Sequence, residues 1–202
     1  MSNSNPRKTG SYVRFITVTG ILSAVAFVLQ LIEFPVPMFM PTFIKLDFSD
    51  LPALLGAFSA GPLSGILIEL IKNLLHVTVS GSFGVGELSN FILGAIFTGV
   101  AGLIYKRKKT KSGALIASIT GAVAMGLLSY VTNLYVVYPV YYNFMPKEVI
   151  VEAYKAIIPS VDSIEKCLLI FNVPFTIIKG ILNVILCFLI YKPLSPILKG
   201  RH

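Results

Sequence analysis

Five stretches of this chain, near residues 13–33, 62–79, 87–105, 113–138 and 166–191, are apolar over the length a helix needs to cross a bilayer. That length is roughly 20 residues at about 1.5 Å each. Inside a bilayer the backbone must satisfy its own hydrogen bonds, so such segments fold as helices. Composition points the same way: 55% of residues are hydrophobic, only 13% are charged, and mean hydropathy is +0.81. There is too little polar surface to clothe a soluble globule. The expectation is an all-α membrane protein forming a single integral domain over residues 1–202.

A sixth segment, LPALLGAFSA at 51–60, is short and ends at Gly61-Pro62, and charge parity decides whether it crosses. With six spans, three basic segments fall on one side: the N-terminal tail through Arg14, the KRKKTK run from Lys106 to Lys111, and the C-terminal Lys192, Lys199 and Arg201. Five spans would put the KRKKTK run opposite the N-terminus, against the tendency of basic residues to remain cytoplasmic. Six transmembrane helices with both termini cytoplasmic is therefore the expected topology. Placed in short flanking segments, the net charge of +8 reads as a topology signal and not as a nucleic-acid face. The apolar run after MSNSNPRKTGSYVR has no small-residue cleavage motif behind it, so it reads as a retained first helix rather than a signal peptide. Cys167 and Cys187, with no CxxC and no clustered His, read as ordinary apolar side chains.

Residues 34–50, 80–86 and 139–165 then become external connections. The first carries Pro35, Pro37 and Pro41, and the last Pro139, Pro146 and Pro159. Proline lowers a loop's unfolded-state freedom and suits a lid, although irregular connection remains the alternative.

Polar residues inside the apolar segments mark candidate sites, because they are costly at membrane depth. Asn172, Thr176, Lys179 and Asn183 recur at spacings of 4, 3 and 4 and share one helical face. Ser129, Thr132 and Asn133 lie together in the fifth segment, and Glu87 and Asn90 share a face at the start of the fourth. Under six spans, most of these groups converge on the outer leaflet beside the LDFSD loop, an arrangement that implies a small-molecule pocket opening outward. Interhelical hydrogen bonding is the alternative, and it is the preferred reading for Thr132 and Asn183. Lys179 has no acid within a turn on its own helix and needs a partner such as Asp47, a ligand oxygen or water. Glu69 and Lys72, at i and i+3, can neutralise each other, and His76 reads as a polar cap. Asn amides match the donor and acceptor edge of a heterocycle, and Phe39, Phe43, Phe48, Tyr130, Tyr135 and Phe175 offer aromatic walls for a flat ring.

Several runs carry a family resemblance: ILSAVAFVLQLIEFPVP, LDFSDLPALLGAFSAGP, KNLLH, Asn133 and PFTIIKG. Over nearly its whole length the chain resembles the riboflavin-specific substrate-binding (S) components of energy-coupling factor (ECF) vitamin transporters. The resemblance implies that riboflavin is captured outside and delivered inward across a bacterial cell membrane, with Asn133 and Lys179 contacting the ligand and a loop containing Leu46 and Asp47 covering it. Phe48, Asn90, Asn172 and Thr176 complete the candidate binding set. The family often has Asn where this chain has Thr176, which puts that contact in doubt and leaves Asn172, one turn earlier, to compensate. The resemblance further implies a transmembrane coupling protein and two ABC ATPases as partners. This agrees with the lack of any GxxxxGK[ST] loop here. Gly20 and Ala24, a small-xxx-small pair, match the surface where the partner's helices would dock. ATP would be used by the partners, and no cofactor is expected in this chain.

Other classes fit less well. A membrane enzyme would need an activated nucleophile or a metal cluster, and the chain has two His, no HExxH and no GxSxG. A solitary carrier lacks the expected internal repeats. The same fold serving another vitamin or FMN stays open.

Overall fold

The computed structural model describes residues 6–199, with side chains from residue 10 to residue 190. The side chains of Arg7, Lys8, Lys192, Lys199 and Arg201, which entered the charge-parity argument, lie outside the described set. The helices are α1 (Pro6–Gln30), α2 (Asp50–Ala60), α3 (Pro62–His76), α4 (Val85–Arg107), α5 (Lys111–Thr132), α6 (Tyr138–Tyr141), α7 (Lys147–Lys155), α8 (Ile164–Cys167) and α9 (Val173–Lys199). Between α1 and α2, β1 (Phe34–Pro35) pairs antiparallel with β2 (Lys45–Leu46), Phe34 opposite Leu46, and so ties down the Pro-rich connection.

Among the described residues, four helical stretches are long and apolar enough to cross a membrane: Gly10–Gln30, Val85–Arg107, Lys111–Tyr141 and Ile164–Ile190. The last two are continuous because a π-helical turn at Asn133–Val137 joins α5 to α6 and another at Leu168–Asn172 joins α8 to α9. α2 and α3 are shorter, 11 and 15 residues, and α3 ends at His76 instead of near residue 79. At 1.5 Å per residue they span about 16 and 22 Å. Gly61, at φ 105°, makes the corner between them in a conformation that favours glycine, and Pro62 then opens α3 where its missing N–H costs nothing.

α2 sits at the centre, touching α1, α3, α4 and α9, with Leu51, Ala53, Leu54, Leu55 and Ala57 all buried. The buried face of α1 carries Thr19, Ser23, Ala26 and Gln30 at helical spacing. Thr19 and Ser64 pair their hydroxyls at 2.8 Å, and Gln30 donates to Asn73 Oδ1 at 2.9 Å, so polar bonds fasten α1 to α3. α5 lies close on α4, for a Cβ on Gly121 would stand 2.6 Å from the Phe97 carbonyl oxygen. The outer surface is large and apolar: Ile16, Ile21 and Val28 on α1, Leu127 and Val131 on α5, and Ile178, Ile185 and Leu189 on α9 are all exposed. Such a belt suits hydrocarbon and not water.

The 139–165 connection is more ordered than a proline-stiffened loop. It folds as α6, α7 and α8 around a core of its own, in which Ile150, Tyr154, Val161, Ile164 and Leu168 pack against Tyr138, Tyr141 and Phe171. α7 supplies only one apolar stripe, too short and too polar to register as a transmembrane signal. Cys167 and Cys187 are buried, unbonded apolar side chains.

Candidate functional site: a pocket lined from every side of the bundle

The two π-helical turns, the start of α2, and α4, α5 and α9 converge on a cavity of about 290 Å³, near the lower end for small-molecule sites. Asp47, Asn90, Asn133, Asn172, Thr176 and Lys179 all line it. Lys45 and Asp47 face the cavity, whereas Leu46 and Phe48 lie between and beyond them and do not line it. This is the alternation expected of an extended segment. Phe48 packs instead on Phe34, with ring centroids 6.3 Å apart. Of the expected aromatics, Phe43 and Phe175 reach the wall, while Phe39 and Tyr135 are exposed elsewhere, and Phe48 and Tyr130 do not line it. Tyr138, Tyr141, Phe83 and Phe144 take their place.

Charges gather at one end of the cavity. Lys179 Nζ lies 2.9 Å from Asp47 Oδ2, 3.3 Å from Asn90 Oδ1 and 3.5 Å from Asp50 Oδ2. Behind this layer is Lys72, wholly buried, 2.6 Å from Asp50 Oδ1, 2.6 Å from Ser49 Oγ and 2.8 Å from Glu69 Oε2. The Glu69–Lys72 pair therefore forms as the i, i+3 spacing suggests, but Asp50 and Ser49 also share the lysine. Ser49 donates its hydroxyl and its backbone N–H to Asp47 Oδ1. Burial alone would push the Asp47 carboxyl up. The Lys179 and Lys72 ammoniums and the Ser49 hydroxyl outweigh that and hold it below the ordinary carboxylate range. Glu69 fits only because Gly94 faces it: a Cβ there would come 2.2 Å from Glu69 Oε2.

A second cluster fixes Asn172. Tyr154 Oη donates to Asn172 Oδ1 at 2.6 Å, Asn172 Nδ2 donates to Tyr138 Oη at 3.3 Å, and the two tyrosine hydroxyls meet at 2.5 Å. With Tyr138 donating to Tyr154, each member of the ring donates once and accepts once. Asn172 keeps one N–H and one lone pair for the cavity. Both π-helical turns serve this geometry, since Asn133 begins one and Asn172 ends the other. An inserted residue changes which way the next side chains point, and such turns often lie at functional sites. Asn133 Oδ1 accepts from Ser89 at 3.2 Å. Tyr154 was out of reach of sequence reasoning because α7 had been taken for a connection.

The mouth is framed by loops. Phe83 adopts a left-handed φ of 55° and stacks on Phe144, centroids 4.9 Å apart and rings within 1° of parallel. His76 meets Glu87 at 2.7 Å, and Ser82 donates to the other Glu87 oxygen at 2.6 Å, pinning the turn between α3 and α4. Glu87 thus serves this turn while Asn90, on the same helix, faces the cavity. Thr132 and Asn183 bond within their own helices, to Leu128 and Lys179 carbonyls, and do not line the cavity.

Residues 14–191 match the family described as ECF transporter, substrate-specific component. The chain belongs to that family. This S component is 41% identical to the riboflavin transporter RibU of Staphylococcus aureus, over 92% of each chain. It is 32% identical to the riboflavin transporter FmnP of Bacillus subtilis, over 91% of this chain and 93% of that one. A solved structure described as the S component of a bacterial ECF transporter superposes with a TM-score of 0.73 at 34% identity, covering 93% of this chain and 99% of the other. As an S component the chain is a multi-pass membrane transport subunit and not an enzyme. Gly20 and Ala24 lie on the exposed face of α1, and a Cβ on Gly20 would meet nothing within 4 Å.

Proposed function

We propose that this S component captures riboflavin from outside the cell and releases it inward when docked on an energising module of a transmembrane coupling protein and two ABC ATPases. One observation carries the reading. Three Asn amides, a lysine ammonium and aromatic walls meet in a single cavity, in a chain whose relatives are named riboflavin transporters. A flavin is flat, with a donor and acceptor edge on one side and a polyol chain on the other. Asn133 and Asn172 match the edge; Lys179, Asn90, Asp47 and Thr176 supply donors and acceptors to carbonyls or hydroxyls. Phe43, Tyr138, Tyr141 and Phe175 give the apolar sandwich. β2 and the segment that leads from it into α2, carrying Leu46, Asp47 and Phe48, serve as the cover.

The same reading takes the single domain as six spans with both termini cytoplasmic, in a bacterial cell membrane. α2 and α3 are the two short spans, α2 packed among α1, α3, α4 and α9 and α3 against α1, α2 and α4, and the small residues Gly20 and Ala24 receive the coupling protein's helices. The test is uptake of labelled riboflavin by proteoliposomes. Accumulation should require the energising module and ATP; accumulation with this chain alone would establish a solitary carrier instead.

A further inference from the structure

The buried Lys72 is absent from the pocket lining, yet two of its N–H groups are directed at residues that orient or pair with the pocket lysine's carboxylates. One reaches Asp50 Oδ1 (2.6 Å), whose other oxygen lies 3.5 Å from Lys179 Nζ. The second reaches Ser49 Oγ (2.6 Å), whose hydroxyl in turn donates a hydrogen bond to Asp47 Oδ1, and the other oxygen of Asp47 is 2.9 Å from Lys179. The ammonium also forms an ion pair with Glu69, 2.8 Å from its Oε2. Lys72 and Ser49 are 0% exposed. Both carboxylates on Lys179 are thus braced from behind by one cation. Three carboxylates share two ammoniums, so neither aspartate is free to claim Lys179 for itself while Lys72 holds the far oxygen of Asp50 and Ser49 that of Asp47.

We infer that Lys72 and Ser49 are positioning residues for ligand binding: they hold Asp50 and Asp47 so that the Lys179 ammonium stays at the cavity wall, available to a carbonyl or hydroxyl of the ligand. The inference rests on the riboflavin reading for its choice of ligand. Without Lys72, Asp50 has Lys179 as its sole cation and draws it out of the wall. Without the Ser49 hydroxyl, the Asp47 carboxylate loses its fixed plane, and with it the direction in which Lys179 points. Groups in one such network couple strongly, whereas independent sites add.

The test is a pair of double-mutant cycles on the purified full chain, titrating riboflavin by quenching of its fluorescence. Ser49→Ala leaves every charge paired and provides the variant that folds; Lys72→Met, and Glu69→Gln/Lys72→Met at unchanged net charge, extend it. Ser49→Ala should weaken binding severalfold and Lys72→Met about tenfold in the wild-type background, and neither should weaken it further once Lys179→Met is present. Lys72→Arg, which can still reach two carboxylates, should recover most of the affinity. Equal losses with and without Lys179, or a lowered thermal midpoint with unchanged affinity, would overturn the inference and leave a purely structural ion cluster. A ligand-free readout separates this from the riboflavin reading: acylation of Lys179 by a small water-soluble ester, followed by peptide mass spectrometry, should slow in Lys72→Met, where Asp50 draws the ammonium out of the wall. If the wild type fails to bind riboflavin but this slowing is seen, the positioning role stands and the ligand assignment falls; a rate that does not fall overturns the positioning role whatever the ligand.

Discussion

Tyr154→Phe removes one oxygen atom and leaves the ring in place, so its effect isolates the hydrogen-bonded ring around Asn172. Tyr154 is 0% exposed, and its hydroxyl takes part in two of the three bonds, at 2.6 Å to Asn172 Oδ1 and 2.5 Å to Tyr138. What remains is the long contact from Asn172 Nδ2 to Tyr138 at 3.3 Å. Each lost bond contributes about 1 kcal/mol net, so the substitution should cost about 2 kcal/mol. Asn172 borders the cavity, where water can reach its stranded oxygen, which argues against a larger penalty. Tyr138→Phe also removes two bonds, but one of them is the 3.3 Å contact, so it should cost less. The assay is thermal denaturation in detergent, paired with riboflavin titration. Tyr154→Phe should lower the midpoint more than Tyr138→Phe does and weaken riboflavin several-fold, because the Asn172 amide becomes free to turn. Asn172→Ala should add little to the affinity loss in the Tyr154→Phe background. A Tyr154→Phe protein with unchanged midpoint and affinity, or the reverse order of the two tyrosines, would refute the reasoning.

Gly94→Ala would place a methyl 2.2 Å from Glu69 Oε2 and 2.4 Å from its Cδ; overpacking of this kind should cost about 1–3 kcal/mol, read as a lowered thermal midpoint. Gly20→Leu and Ala24→Leu should leave riboflavin affinity unchanged and abolish ATP-driven uptake in proteoliposomes carrying the energising module, since both lie on the exposed face of α1. The Asp47 carboxyl is held below its ordinary 3.8, so the stability it contributes is fully present above that value and is lost as pH falls below it. Thermal midpoints should therefore show no loss from this group between pH 7 and about pH 5 and a fall in stronger acid, a fall that Asp47→Asn should blunt.

The helical class and the position of the pocket were legible because membrane depth makes polar residues conspicuous: Asn133, Asn172, Thr176 and Lys179 had to face protein or a cavity, and all four line it. Helical spacing likewise revealed the Glu69–Lys72 pair. What spacing could not reveal was the tertiary partner. Asp50 reaches Lys72 across 22 positions and Tyr154 reaches Asn172 across 18, and neither separation has a local period. The two π-helical turns were also hidden, because NLYVV and LLIFN read as ordinary helix. α7 escaped notice because a nine-residue amphipathic helix between prolines carries less apolar signal than the spans around it. Leu46 enters the candidate residues through the family resemblance and Phe48 through its place in the LDFSD run, and neither lines the cavity, in keeping with the alternation of an extended segment.

Purified without added vitamin and titrated with riboflavin while flavin fluorescence is followed, the protein should quench the flavin with one-to-one stoichiometry and gain thermal stability as the ligand saturates it. Asn133→Ala and Lys179→Ala should each weaken that quenching. A well-folded protein that neither quenches riboflavin nor is stabilised by it would contradict the assignment of the cavity to a flavin.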